Sequence, residues 1–215
     1  MESSTDLQYS KTEEKLNIIS HGIGLVLVIL GTVLLIIKAS KFNDGLTLLS
    51  IIIYGMSMMV LYGASTFYHW STSPFIRYKL QIFDHASIYI LIAGTYTPFA
   101  LITLQGTIGW VIFGITWILT LAGIIIKIFF TGRFNLLSTI MYVVMGWIII
   151  PVVFPLIEVL TLDGFWWLLA GGISYTIGAV LFMFDNMKFN HAIFHVFVLL
   201  GTLLQFISVY FYVLK

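Results

Sequence analysis

The chain has 215 residues, of which 60% are hydrophobic and only 9% charged, with a formal net charge of +1, and its mean hydropathy is +1.06. That composition excludes a soluble domain of this length and identifies a polytopic membrane protein, while the balanced charge and the lack of any basic run leave no basis for a nucleic-acid partner. The absence of cysteine rules out disulfides and thiolate metal sites.

Lipid offers backbone groups no partner, so membrane-crossing segments are helices or closed barrels, and the long unbroken apolar runs of this chain select helices. The first sixteen residues, MESSTDLQYSKTEEKL, mix acid and base without a basic n-region. They are read as a tail, 1–16, and not as a cleavable signal peptide, with the first span serving as its own insertion signal. From there a transmembrane domain, 17–215, is expected to hold seven spans, at about 17–38, 46–69, 82–104, 108–129, 135–157, 164–184 and 190–213. The breaks, among them KASKFNDG, STSPFIRYK and FTGRFN, are short and polar, too short for a separate domain. The expected fold is therefore all-α, a seven-transmembrane-helix bundle.

Seven basic residues fall on the amino-terminal side (Lys11, Lys15, Arg77, Lys79, Lys127, Arg133, Lys188) and three on the other (Lys38, Lys41, Lys215). The positive-inside tendency then puts the amino terminus in the cytoplasm and the carboxyl terminus outside. Pro98, in GTYTP, is expected to kink the third span, and Pro151 and Pro155 to bend the fifth. Ser174 and Gly178 form a small-xxx-small pair suited to a close helix contact or to a face for a second copy of the chain. Trp70, Trp110, Trp166 and Trp167 lie near span ends, as an interfacial aromatic belt requires.

Ionisable groups at membrane depth are rare and face the bundle interior, and here they fall at four loci: His21, His69, Asp84 with His85, and His191 with His195. Odd spans start and even spans end on the amino-terminal side, so all four share one half of the bundle. Residues four apart on a helix stack on one face with Cβ atoms about 5–6 Å apart, so His191 and His195 can reach one metal ion. His69 is the candidate third ligand. Three neutral imidazoles leave a fourth position for water, the arrangement of a catalytic zinc. Asp84 is placed to hold that water and take its proton, and Ser65, one turn before His69, to donate to a developing oxyanion. The same histidines also fit a plainer role as polar tips hydrogen-bonding across helices, and that alternative stays open. His21 and His85 are read as supporting or packing residues.

Three ordered stretches carry a resemblance: EEKLNIISHGIG at 13–24, STFYH through DHASIYILIAGTYTP at 65–98, and HAIFHVFVLLG at 191–201. In them the chain resembles the hemolysin III family, within the progestin and adipoQ receptor superfamily. The resemblance runs from Glu13 onward. It implies a seven-helix bundle with a cytoplasmic amino terminus and a zinc site built from Ser65, His69, Asp84, His191 and His195, with the three histidines as direct ligands and the aspartate acting through water. Zinc rather than iron or manganese follows from this resemblance, because imidazole suits several metals. The adiponectin-receptor branch is associated with ceramide hydrolysis, and a wider grouping unites it with alkaline ceramidases. That branch has a long amino-terminal region not found here, so a hormone-receptor role is not expected.

The expectation is thus a zinc-dependent hydrolase of a membrane-lipid amide or ester, with the lipid reaching the site laterally from the bilayer. One alternative is a non-catalytic regulator of membrane homeostasis in which zinc staples the second, third and seventh spans. An ion or proton conductor is a second, weakened because no charged residue continues the path through the outer half. A cytolysin is a third, weakened because no amphipathic arming segment is evident.

Overall fold

The computed structural model describes residues 9–131, 135–184 and 186–215. Arg133, counted above among the basic residues, and the tail up to residue 8 lie outside the described residues. Within them the chain forms helices and no strands. The helices are α1 (Lys11–Ala39), α2 (Gly45–Trp70), α3 (Pro74–Pro98), α4 (Gly106–Phe130), α5 (Asn135–Gly146), α6 (Val153–Leu160), α7 (Leu162–Phe182) and α8 (Asn190–Ser208). With their short 3-10 and π extensions they make seven segments long and apolar enough to cross a membrane, the fifth, Leu136–Leu160, being shared by α5 and α6.

Two spans begin earlier than expected, for local reasons. Ser10 caps α1 by accepting the Glu13 N–H at 3.2 Å, so the helix starts at Lys11 and carries Glu13 and Glu14 in its first turn. Pro74 occupies the first turn of α3, where its missing N–H costs nothing, so Arg77 and Lys79 lie on the helix and not in a loop. Between α1 and α2, exposed Asp44 accepts from the Thr47 hydroxyl and the Thr47 and Leu46 N–H groups, which hold its carboxyl below the usual range.

The chain is turned inside out relative to a soluble bundle. On α1 a stripe of small and polar residues (Asn17, His21, Gly24, Thr32) is buried with Val28 and Leu35, whereas Ile19, Ile23, Val26 and Leu30 face outward. Without a hydrophobic force between helices in lipid, close approach and hydrogen bonds join them. A Cβ on Gly94 would overlap Ser57, bringing α3 against α2. A Cβ added at Gly178 would lie 2.8 Å from the Phe197 Cβ, and the Ser174 hydroxyl donates to the Phe197 carbonyl at 2.8 Å. The small-residue pair thus seats α7 on α8.

The third span is the hub of the bundle, with 72% of its most apolar window buried, against 11% for the fifth. Pro98 ends the α-helical hydrogen-bond pattern of α3, and the span continues as a wider π turn over Phe99–Leu104, closed by the Gln105 N–H on the Ala100 carbonyl at 3.0 Å. The fifth span is broken outright and not merely bent: α5 stops at Gly146, Pro151 sits in a 3-10 turn, and Pro155 falls in the first turn of α6. Backbone groups freed at such a break need partners in lipid. The Tyr96 hydroxyl supplies them, donating to the Gly146 carbonyl at 2.8 Å and accepting the Ile149 N–H at 3.1 Å.

The starts of α1 and α8 meet, as Tyr9 and His191 show, and so do their ends, where Lys38 donates to the Tyr210 carbonyl at 2.7 Å. The two helices run parallel, as an odd number of crossings demands. Trp70, Trp110, Trp166 and Trp167 are on the surface near span ends. Lys127 lies within α4 and is buried, so it is not a loop charge.

Candidate metal centre

Helix α2 delivers His69 in its last turn and α8 delivers His191 and His195 in its first two, all three buried. Each offers a ring nitrogen within 4.8 Å of the others. The closest pair is His69 Nε2 and His191 Nε2, 3.1 Å apart. Nitrogens sharing one tetrahedral ion at bonds of about 2.0–2.1 Å sit about 3.3 Å from one another, so the separation suits a common ion. These three buried histidines can hold a metal ion.

The partners of the remaining nitrogens set the tautomers. His69 Nδ1 lies 2.7 Å from Glu14 Oε2. A carboxylate only accepts, so Nδ1 carries the proton and Nε2 keeps its lone pair. The Ser20 hydroxyl donates to the Asn17 carbonyl at 3.1 Å, which leaves its oxygen to accept from His195 Nδ1 at 3.4 Å. His195 Nε2 is thereby also a lone-pair nitrogen, with the Ser65 hydroxyl 3.5 Å away. His191 Nδ1 faces the Tyr9 hydroxyl at 3.2 Å, with the two rings stacked. Burial pushes the Tyr9 phenol up, as do neighbouring acids including Asp84 and Glu13, so it remains a neutral hydroxyl able to donate or accept. The close approach of two Nε2 atoms is relieved either by a His191 proton or by a shared cation, and the donor set fits the cation: neutral imidazoles, each held from behind by an oxygen.

Two supports escaped the sequence reading. Glu14 is ion-paired through Oε1 with Arg77, whose guanidinium also donates to the carbonyls of Tyr68 and Ser71 at 3.2 Å each, covering the end of α2 where His69 sits. Glu13 lies against the His191 and Ala192 N–H groups at the start of α8, which has no side-chain cap of its own. The signal was present: residues 14, 17 and 21 share a helix face, but a tail running to residue 16 put the acids outside the helix.

The other expected site residues gather at the same end. Buried Ser65 reaches both His195 and the Asp84 carboxyl. His21 stacks on His195 with ring centroids 3.5 Å apart, and neither of its nitrogens has a hydrogen-bond partner among the described residues. His85 lines a cavity between α3, α5, α7 and α8 of about 130 Å³ that Asp84, His191 and His195 also line. Mostly apolar beyond these groups, the cavity abuts a second along Thr95, Tyr96, Trp147 and Gln205, which reaches toward the opposite end of the bundle beside α6.

A sequence model of the family described as haemolysin-III related matches residues 9–206. The chain is 48% identical over 213 residues to Hemolysin-3 of Bacillus cereus, covering 99% of this chain and 97% of that protein. To the Hemolysin-3 homolog of Bacillus subtilis (strain 168) it is 46% identical over 203 residues, covering 94% and 95%. A more distant likeness joins it to the human monocyte to macrophage differentiation factor, 25% identical over 209 residues, covering 94% and 85%.

Proposed function

The chain belongs to the haemolysin-III related family, and from that premise we propose that this multi-pass membrane protein is a zinc-dependent hydrolase of a lipid amide or ester. The proposed setting is a bacterial plasma membrane with the histidine end facing the cytoplasm, in line with the bacterial relatives and with Lys11, Lys15, Arg77, Lys79 and Lys188 at that end.

The observation that carries the reading is the junction of three convergent imidazoles with a largely apolar cavity, because His191 and His195 belong to both. Bound by His69, His191 and His195, zinc would supply Lewis acidity, polarising a carbonyl and making water nucleophilic near neutral pH. Asp84 accepts the proton of the attacking water and returns it to the leaving group. Ser65, which holds Asp84 in the resting site, turns its one hydroxyl proton to the oxygen that gains charge once Asp84 has taken up the water's proton. Glu14 fixes the His69 ring, Ser20 the His195 ring and Tyr9 the His191 ring. An acyl chain lies along the cavity, reaching it from the bilayer beside the thinly packed fifth span.

The test is turnover of a panel of acyl amides and esters by the purified protein, with and without a chelator. Hydrolysis that chelation stops and zinc restores is expected; no turnover of any acyl substrate refutes an enzyme. A second reading is favoured by one observation, that the cluster ties α2 to α8: zinc as a staple in a non-catalytic regulator. There chelation lowers the melting temperature while Asp84→Asn changes nothing measurable.

A further inference from the structure

A lysine near the end of a membrane span ordinarily extends its stem outward so that the ammonium reaches water and headgroups. Lys127, in the last turn of α4, does the opposite: it is 3% exposed and lines the cavity beside the histidine cluster. A buried ammonium requires an acid or several acceptors. The two ion pairs among the described residues join Glu14 to His69 and to Arg77 and leave Lys127 out. Asp84, the acid lining the same cavity, forms no ion pair with it. The contact it does make is with the face of Tyr142, its Nζ 6.0 Å from the ring centroid. A second, independent vacancy in hydrogen bonding adjoins it. His85, within electrostatic reach of Lys127, lines the cavity too, and its buried Nδ1 has no partner among the described residues. The Tyr142 hydroxyl donates its proton to the His85 carbonyl at 2.9 Å and so has none left for His85 Nδ1.

A cation without an ion pair and an imidazole nitrogen without a hydrogen bond, both lining a largely apolar chamber near the end of a span, match one kind of occupant. We propose that Lys127 and His85 form a subsite for the negatively charged headgroup of an acidic lipid, phosphate or carboxylate, whose chain lies in the cavity. The ammonium pairs with an anionic oxygen, the Tyr142 ring backs it, and His85 Nδ1 donates a further hydrogen bond. The proposal rests on the reading of the cavity as a lipid chamber but not on hydrolysis, and it makes the protein selective for acidic lipids over neutral or zwitterionic ones.

The experiment is calorimetric titration of the purified, chelator-treated protein in neutral detergent with two matched pairs: dihexanoyl phosphatidic acid against dihexanoyl phosphatidylcholine, and dodecanoate against dodecanol. At least one acidic probe is expected to bind about tenfold or more tightly than its partner, and which one does so names the headgroup. Lys127→Met should bring that affinity down to the partner's, and Lys127→Arg should keep most of the preference. Equal affinities within both pairs, or a preference that survives Lys127→Met, overturn the proposal. Should Lys127→Met fail to fold, the wild-type comparison decides alone. With metal and turnover both out of the measurement, a failed hydrolase assay leaves the binding result standing, whereas binding of neither member of either pair overturns the lipid chamber itself.

Discussion

Replacing Glu14 tests whether the histidine cluster is built to hold an ion. The carboxylate holds His69 Nδ1, which is fully buried, at 2.7 Å and the partly exposed Arg77 on its other oxygen. Losing a buried hydrogen bond to a charged group costs about 1.5–3 kcal/mol, and outer partners of metal-binding histidines are each worth about 10–100-fold in affinity. Glu14→Gln keeps the size and an acceptor oxygen but loses the charge, so zinc should bind about tenfold more weakly. Glu14→Ala frees the ring to turn over and strands Arg77, and the loss should approach 100-fold. Competition against a chelator of known affinity, read as protein-bound zinc after equilibrium dialysis, measures both. Lys15→Ala, at an exposed position one residue on, is the control with no change, and His69→Ala the control that abolishes tight binding. If Glu14→Ala holds zinc as tightly as the unaltered protein while His69→Ala does not, the carboxylate does not orient the ligand and the reasoning fails.

Asp84→Asn should keep bound zinc and the melting temperature but lower lipid turnover by about 10²–10⁴-fold, the usual contribution of a positioned proton acceptor; unchanged turnover removes Asp84 from the mechanism. Tyr96→Phe strips the Gly146 carbonyl and the Ile149 N–H of their shared partner. Detergent-solubilised protein should then lose about 1–3 kcal/mol of stability, and an unaltered melting curve means those groups find other partners. Gly178→Val forces a side chain into the Phe197 Cβ. It should cost about 1–3 kcal/mol and separate α7 from α8, whereas Gly146→Ala, with no atom in the way, separates packing from helix propensity by comparison.

The number and order of spans were legible because each apolar run carries its own evidence, and the histidines were legible because membrane depth makes them conspicuous. What resisted reading was non-local. The acids of α1 are unremarkable in a tail and become meaningful only once Ser10 starts the helix at Lys11 and brings Glu14 to His69, 55 residues away. Two prolines announce a disturbance in the fifth span, but not that Tyr96 from α3 makes a full break tolerable. Lys127 looks like a boundary charge from its place in the chain. The direction of its side chain depends on what α3 and α5 leave open between them, and no window of local sequence holds that information. His85 and Asp84, neighbours turned about 100° apart on the helix, both line the cavity, which their adjacency in sequence does not foretell.

The histidines stand on α2 and α8, whereas the interrupted fifth span brings Ser138, Thr139, Tyr142, Val143 and Gly146 of α5 to the cavity wall. In the proposed hydrolase, the metal ligands and the part of the wall that shapes the guest's chain therefore belong to different stretches of polypeptide. Drift in residues 138–147 can reshape the accommodated guest while leaving the ring geometry undisturbed, so relatives sharing every histidine can diverge in diet.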